Sequence, residues 1–246
     1  MTNIHCNSRM YKEGRNESMK KLRLALVMLL SLTILSGCFL MKNNRLWLES
    51  KIGPASEKVY PTKNLYELFD TFPKGFTIRV SDYYKQDGIY MYREIMLYGN
   101  PENKHIDGHV SLSKGGDEVE RVNLVYSPNG KLSAENSNYS DELLPYKEFL
   151  FQQLTLNKKV LSKLKVISKS YNLETEEGVI EYGIKDKDIN TFLHLDKDEE
   201  VTMYVKASRK VLSDRGFSLP IIFYQNQHEY RHAELIKDGL EEKNKD

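Results

Sequence analysis

The segment His228-Glu229-Tyr230-Arg231-His232 has the spacing H-E-x-x-H. On a helix, two histidines four residues apart share one face and can bind one zinc ion, with the glutamate as general base. Arg231 would place a cation beside that metal, however, and the 14 residues after His232 hold no clear third ligand. The preceding Pro220–Tyr224 run favours a strand, on which such histidines lie about 13 Å apart. We therefore expect surface histidines on an edge hairpin, and a zinc-dependent peptidase is an alternative.

The N-terminal region has the pattern of an export signal. Lys20, Lys21 and Arg23 precede the apolar run Leu24–Leu35, which leads into Ser36-Gly37-Cys38. A run of this length covers about 18 Å as a helix, short of the roughly 30 Å hydrocarbon core, so it favours a cleavable signal over a permanent span. The ending Leu-Ser-Gly-Cys resembles a bacterial lipobox, whose cysteine takes a diacylglyceryl group. We predict a signal peptide at residues 1–37, with 1–18 as an early-start extension, and lipidation of Cys38.

Maturation at Cys38 would set the location and the chemistry of the protein. Two acyl chains give stable anchoring, so we expect a lipoprotein on the extracellular face of the cell membrane. Cleavage removes six basic and two acidic residues, which changes the net charge from +1 to about −3. Since Cys6 leaves and Cys38 is acylated, disulfides, a thiol nucleophile and a thiolate metal site are excluded. The missing basic excess argues against a nucleic-acid partner.

The rest of the chain predicts a tether at residues 38–58 and one domain at residues 59–240. Gly53-Pro54 is expected to break any helix in the tether, and Trp47 would either enter the lipid interface or pack on the domain. Alternating apolar residues separated by turn residues predict a four-stranded antiparallel meander from Phe76 to Tyr126. A helix is predicted at Asp141–Leu154, with Asp141 as its N-cap.

The second half of the chain predicts more strands. We expect an α+β fold, mainly an antiparallel β-sheet meander with a few short helices packed on it. Residues 160–167 fit either a helix or a strand. Asp186 begins a calcium-loop-like pattern, but the glycine and the glutamate of that loop are missing, so a helix cap is expected. The remaining predicted elements are a short helix at 186–195 and strands at 179–184, 201–206, 219–224 and 230–236.

Several short motifs carry a family resemblance. They are the lipobox, Tyr60-Pro61-Thr62-Lys63-Asn64-Leu65, the strand end Met96-Leu97-Tyr98, the strand with Gly108, and Tyr182-Gly183-Ile184 followed by Asp188-Ile189-Asn190. Together they resemble the staphylococcal tandem-lipoprotein family of conserved staphylococcal antigens. The resemblance covers most of residues 19–236 and departs from the pattern at 217–234. It implies a lipid-anchored surface protein of a Gram-positive bacterium, without known enzymatic activity, that is exposed to host cells and host immunity.

These observations favour a binding function over an enzymatic one. We expect a non-enzymatic surface protein, without a cofactor, whose domain contacts another protein, from the host. The 16 tyrosines, most of them in predicted strands, either pack the sheet or form an aromatic contact surface on it. A solute-binding lipoprotein that feeds a transporter is an alternative, which a buried pocket with convergent polar groups would favour.

Overall fold

The computed structural model describes residue 28 and residues 42–135, 139–140, 142–213, 215–225 and 230–240. The chain divides into two compact units, Met1–Lys42 and Asn43–Asp246, and the fold below is that of the second. Cys38 and, apart from Met28, the predicted signal peptide lie outside the described residues. No helix within the described ranges has the length and apolar character needed to cross a bilayer.

A single antiparallel sheet organises the domain. Its strand order is β5-β4-β3-β2-β1-β10-β9-β8-β7-β6, so two meanders of five strands join through the β1–β10 pair. The strands are β1 (Phe76–Gln86), β2 (Ile89–Asn100), β3 (His105–Lys114), β4 (Asp117–Tyr126), β5 (Leu132–Ala134), β6 (Lys165–Asn172), β7 (Glu177–Ile184), β8 (Val201–Ala207), β9 (Ser218–Gln225) and β10 (Tyr230–Asp238).

Six short helices accompany the sheet in the described residues. A 3-10 turn at Leu65–Glu67 runs directly into the second helix. The helices are α1 (Arg45–Glu57), α2 (Leu68–Thr71), α3 (Leu150–Gln153), α4 (Lys158–Leu161), α5 (Lys187–Phe192) and α6 (Arg209–Leu212). The predicted class, a mainly antiparallel α+β fold with a few short helices, is therefore confirmed.

The two faces of the sheet differ in burial. The inner face carries the side chains of Phe76, Ile78 and Val80, which are fully buried. Their partners Gly99, Leu97 and Ile95 on β2 continue the same face. The outer face begins on β1 with Arg79, Ser81 and Tyr83, and most of its side chains are exposed or half-buried. The hydrophobic core therefore lies between the inner face and the helices.

Two glycine positions show how the meander is built. Asp87 and Gly88 both have positive φ, 50° and 82°, which is the backbone twist that a two-residue hairpin between β1 and β2 needs. At Gly108 on β3, a Cβ atom would lie 1.8 Å from the carbonyl oxygen of Met96 on β2. Only glycine allows the two backbones to approach this closely.

The predicted tether is wrong for residues 45–57, because they form helix α1 of the domain. The Asn44 side chain caps this helix by accepting a hydrogen bond from Leu46 N at 2.8 Å. Leu48 and Ile52 are fully buried, and this burial offsets the one helical hydrogen bond that Pro54 cannot make. Gly53 lies where a Cβ atom would be 2.7 Å from Cβ of Lys158, so it permits close packing of α4 instead of breaking the helix.

The position of Trp47 is resolved in favour of packing on the domain. Its ring meets Tyr171 of β6 edge to face, with 5.6 Å between ring centroids. Arg45 fixes the same end of α1 by donating hydrogen bonds to the carbonyl oxygens of Leu161, Ser162 and Leu164, at 3.0, 2.8 and 3.1 Å. The first turn of α1 is thus attached to the segment that joins α4 to β6.

The predicted helix at 141–154 is mostly wrong, since only α3 forms. Residues 142–149 are irregular, and Asp141 lies outside the described residues. Pro145 supplies no backbone donor there, and Tyr146 and Phe149 turn into the core, with 7% and 2% exposure. Burial of these two rings outweighs the local helical preference.

The remaining predictions of secondary structure are close to the structure. The undecided segment 160–167 contains the end of α4 and the start of β6. Asp186 caps α5, because its Oδ1 accepts hydrogen bonds from Asp188 N and Ile189 N at 2.9 and 3.0 Å. Helix α6 is an element that the sequence pattern did not predict.

Candidate functional site

His232 occupies the centre of the sheet and not an edge. It lies on β10, between β1 and β9, and its side chain is 0% exposed. The expectation of a surface histidine on an edge hairpin is therefore wrong for His232, although β9 and β10 do pair as a hairpin. The described part of the motif, Tyr230 to His232, is strand, and His228 and Glu229 lie outside the described residues. The helical geometry of a zinc peptidase motif is not formed at Tyr230–His232.

The His232 imidazole belongs to a buried cluster of charged side chains on the inner face. Its Nδ1 lies 2.7 Å from Oδ1 of Asp82, the residue directly opposite on β1. The other carboxylate oxygen of Asp82 accepts two hydrogen bonds from Arg93 on β2, from Nη2 at 2.8 Å and from Nε at 3.0 Å. These strand partners therefore form a chain of hydrogen bonds across β10, β1 and β2.

Glu234 completes the cluster from the next inward position of β10. Its Oε1 accepts a hydrogen bond from Leu150 N at 2.8 Å, and its Oε2 accepts one from the Tyr60 hydroxyl at 3.2 Å. His232 Nε2 lies 3.5 Å from Glu234 Oε1 and makes no hydrogen bond within the described residues. The carboxyl group thus connects the sheet to the start of α3 and to the segment after α1.

The protonation states follow from these contacts. Burial by itself lowers the pKa of His232, but the hydrogen bonds and charges of Asp82 and Glu234 outweigh it and raise this pKa to about 9. Burial raises the pKa of Asp82, yet His232 and Arg93 together lower it below its ordinary value. At neutral pH the pair is consequently an imidazolium and a carboxylate.

Aromatic rings enclose the imidazole. Tyr146 stacks on Phe192 with ring centroids 5.1 Å apart, and both rings meet His232 edge to face, at 5.8 and 5.4 Å. The Arg93 guanidinium lies over the Tyr146 ring, 5.2 Å from its centroid. A cleft of about 520 Å³ lies beside Arg93 and Tyr146, and His232 does not line it. The histidine–aspartate pair resembles an acid–base dyad in geometry, but the enclosed imidazole stabilises the fold instead.

The sequence contains a signal for this cluster that lies outside the H-E-x-x-H motif. Asp82 follows Phe76, Ile78 and Val80 at the next inward position of the same strand. Charged residues that continue the buried parity of a strand indicate paired burial, because an unpaired charge there is costly. Arg93, two residues before Ile95, shows the same pattern.

The outer face carries the tyrosine surface. Tyr83 and Tyr90 stack with ring centroids 5.2 Å apart. Both tyrosine interpretations hold in part, since Tyr60, Tyr126 and Tyr182 are buried in the core. The outer-face tyrosines are Tyr83, Tyr90, Tyr92, Tyr98, Tyr204 and Tyr224.

A groove of about 510 Å³ crosses the middle of the outer face, over β1, β2, β9 and β10. Arg79 is held there by an ion pair with Glu94. Arg231 is exposed and has no ion pair within the described ranges. The groove, which we call the outer groove, is lined by Arg79, Ser81, Tyr83, Tyr92, Pro220, Ile222, Arg231, Ala233 and Leu235. It therefore combines aromatic, aliphatic and cationic side chains on a rigid sheet.

A second cavity of about 660 Å³ lies between α1, the loop before β1, and α6. Phe72, Phe217 and Val211 supply apolar lining, and they belong to the buried core. Lys58 and Lys74 contribute basic groups to its lining. Such a cavity has the size and the polarity of a small-molecule site.

Comparison with known proteins adds no assignment. No family model matches the chain, and no curated protein is significantly similar to it. The features that bear on function are therefore the outer groove, the second cavity and the N-terminal pattern.

Proposed function

We propose that this chain is a non-enzymatic, lipid-anchored protein of the extracellular face of the cell membrane that binds another protein through its outer groove. The observation that carries the proposal is the concentration of six tyrosines on the outer face, around a groove with an exposed arginine. Tyr and Arg are enriched at protein interfaces and in their energetically dominant positions. A rigid sheet also lowers the entropy cost of presenting these side chains.

The chemistry of the groove suggests the kind of partner. Arg231 offers a guanidinium without an ion pair among the described residues, next to the aliphatic side chains of Ile222 and Ala233. A partner segment with a carboxylate beside an apolar side chain complements this arrangement. The staphylococcal resemblance, on its part, suggests a protein on host cells, in keeping with a surface antigen of a Gram-positive bacterium.

The anchor is tested separately from the groove. Incorporation of labelled palmitate, and the mass of the N-terminal peptide, should report diacylglyceryl-Cys38 in the mature protein. The variant Cys38→Ser should lose the label and leave the membrane fraction. An unmodified Cys38 in membrane-bound protein would contradict the proposed anchor.

Binding is tested with residues 39–246, which contain the whole of the compact unit Asn43–Asp246. We expect saturable binding to host-cell surface protein that the double substitution Tyr83→Ala with Arg231→Ala abolishes. The matched control is Tyr139→Ala with Arg209→Ala, which removes the same residue types away from the groove. Absence of saturable binding to several cell types, or equal loss in both variants, would refute this use of the outer groove.

The second cavity favours one alternative, a solute-binding lipoprotein. Its apolar lining with Lys58 and Lys74 fits a small amphipathic anion. Titration with decanoate, followed by calorimetry, should then show binding that Lys58→Glu with Lys74→Glu weakens. No heat of binding with the unmodified domain would remove this alternative for fatty acids.

A further inference from the structure

The segment from α4 through β6 is a basic surface. Residues 156–173 contain five lysines and no acidic residue, although the whole chain is close to charge balance. All five lysines are exposed. Lys165 lies 3.7 Å from Glu200, whereas the other four make no ion pair within the described residues. The five are Lys158, Lys159, Lys163, Lys165 and Lys169.

This basic segment lies against the first turn of α1. Arg45 donates hydrogen bonds to the carbonyl oxygens on both sides of Lys163. Trp47 contacts Tyr171, and Lys169 projects from the same face of β6 as Tyr171, as the register with Ile180 and Gly178 requires. The cations on this part of the domain therefore surround the point where the chain enters α1.

Exposed apolar side chains accompany the lysines. Leu46, beside Trp47 in α1, is 69% exposed, and Leu173, just after β6, is 58% exposed. Trp47 itself is only partly buried. Cationic side chains around exposed Leu and Trp form the composition of a surface that inserts shallowly into the headgroup region of an anionic bilayer. We call Leu46, Trp47, Leu173 and the four unpaired lysines the basal surface.

Chain length brings this surface to a membrane. Because α1 is part of the domain, six residues separate Cys38 from the helix cap Asn44. Six residues span at most about 20 Å when fully extended. If Cys38 carries the lipid, the first turn of α1 stays within that distance of the bilayer.

We propose that the basal surface docks the domain on anionic phospholipid, so that the protein lies on the membrane in a fixed orientation instead of moving freely on a tether. This inference rests on the proposed lipid anchor, which raises the local concentration of the domain at the bilayer. The lysines supply attraction to the headgroups, and Leu46, Trp47 and Leu173 enter the interface.

Trp47 provides the direct test, because it is the only tryptophan in the chain. The lipid-free domain, residues 39–246, is mixed with phosphatidylglycerol vesicles that contain brominated acyl chains. We expect quenching and a blue shift of the Trp47 emission, reversal by about 0.5 M salt, and no change with phosphatidylcholine vesicles. An emission that is the same with and without anionic vesicles overturns the proposal whether or not any variant folds.

Charge reversal locates the surface. Lys158→Glu with Lys163→Glu and Lys169→Glu should weaken vesicle partitioning at least about tenfold. The matched control, Lys104→Glu with Lys114→Glu and Lys131→Glu, makes the same change of net charge on the β2–β3, β3–β4 and β4–β5 connections, towards the opposite edge of the sheet, and should alter partitioning by less than about twofold. Equal weakening in both variants would overturn the assignment of the surface.

Two further outcomes distinguish membrane docking from a role of the lysines in solubility and from the lipid anchor itself. Lysines on an edge strand also prevent strand pairing between molecules. Aggregation of the first triple variant with unchanged partitioning would mean that the lysines have only this role, and docking would be refuted. If the lipid is found on Cys38 while Trp47 shows no quenching, the proposed anchor stands and the docking inference fails.

Discussion

His232 and Asp82 lie directly opposite each other on β10 and β1, with 2.7 Å between Nδ1 and Oδ1, although 150 residues separate them in the sequence. Their strands form the only ladder between the two five-stranded meanders in the described sheet. A buried ion pair therefore sits on the seam of the fold.

Removing one partner of this seam should be costly. Asp82→Asn retains the shape of the side chain but leaves Arg93 and His232 without their shared anion. We expect a loss of about 3 kcal/mol in the free energy of unfolding, measured with urea. Glu118→Gln, in an exposed pair with Arg121, should change it by less than about 0.5 kcal/mol. Similar small effects of both substitutions would contradict the role of the cluster.

Stability should fall as the solution becomes alkaline. The pKa of His232 is about 9 in the folded protein and 6.5 in an ordinary environment, so the native state retains a proton that the unfolded state loses. The stabilisation is complete below pH 6.5 and is lost as the pH rises through 9, by about 3 kcal/mol. Burial raises the pKa of Tyr60 and Tyr146, which remain neutral in this window.

Urea unfolding at pH 6.5 and pH 9 measures this dependence. His105→Gln, at an exposed position of β3, serves as the control and should retain the slope. A free energy of unfolding that does not change between the two pH values would show that His232 is not protonated in the native state.

Helix α1 should contribute to stability through a single face. Leu48 is fully buried, and its Cδ2 occupies the space above Gly178 of β7. Leu48→Ala should cost about 3 kcal/mol because it leaves a cavity, whereas Leu46→Ala should cost less than about 0.5 kcal/mol. Comparable thermal midpoints for the two variants would restore the idea of a loose tether.

Gly108 should tolerate no side chain. A Cβ atom would lie 1.8 Å from a backbone oxygen of β2, so Gly108→Ala must separate the two strands, at an expected cost of about 3 kcal/mol. Gly88→Ala meets no neighbouring atom and has only the strain of its positive φ, about 1 kcal/mol. Circular dichroism with urea compares the two, and equal costs would contradict the close approach of β2 and β3.

Local patterns predicted much of the sheet. Alternation from Phe76 to Tyr126, with Asp87-Gly88 and Gly115-Gly116 as turns, gives four strands whose order follows the chain. Hairpins of this kind depend on neighbouring residues alone, so one sequence contains the information. The β1–β10 pairing does not follow from local residues, because it depends on distant packing.

Packing also overrode two local signals. Gly53-Pro54 reads as a helix break, yet the glycine is required for the approach of α4. His232 reads as a motif residue, but its surroundings are decided by Asp82 and Glu234, which motif spacing does not contain. The outer groove likewise depends on residues of four strands, so the sequence predicted a tyrosine-bearing face without its position.

The β1–β10 seam makes the two meanders depend on each other. The first meander supplies Asp82 and Arg93, and the second supplies His232 and Glu234, while α1, which precedes the first, contacts β7 and β8 of the second. A half-separated molecule would expose both helix packing and a severed ion pair. The domain therefore has reason to fold and unfold cooperatively, as one unit, despite a sheet that is built from two separate halves.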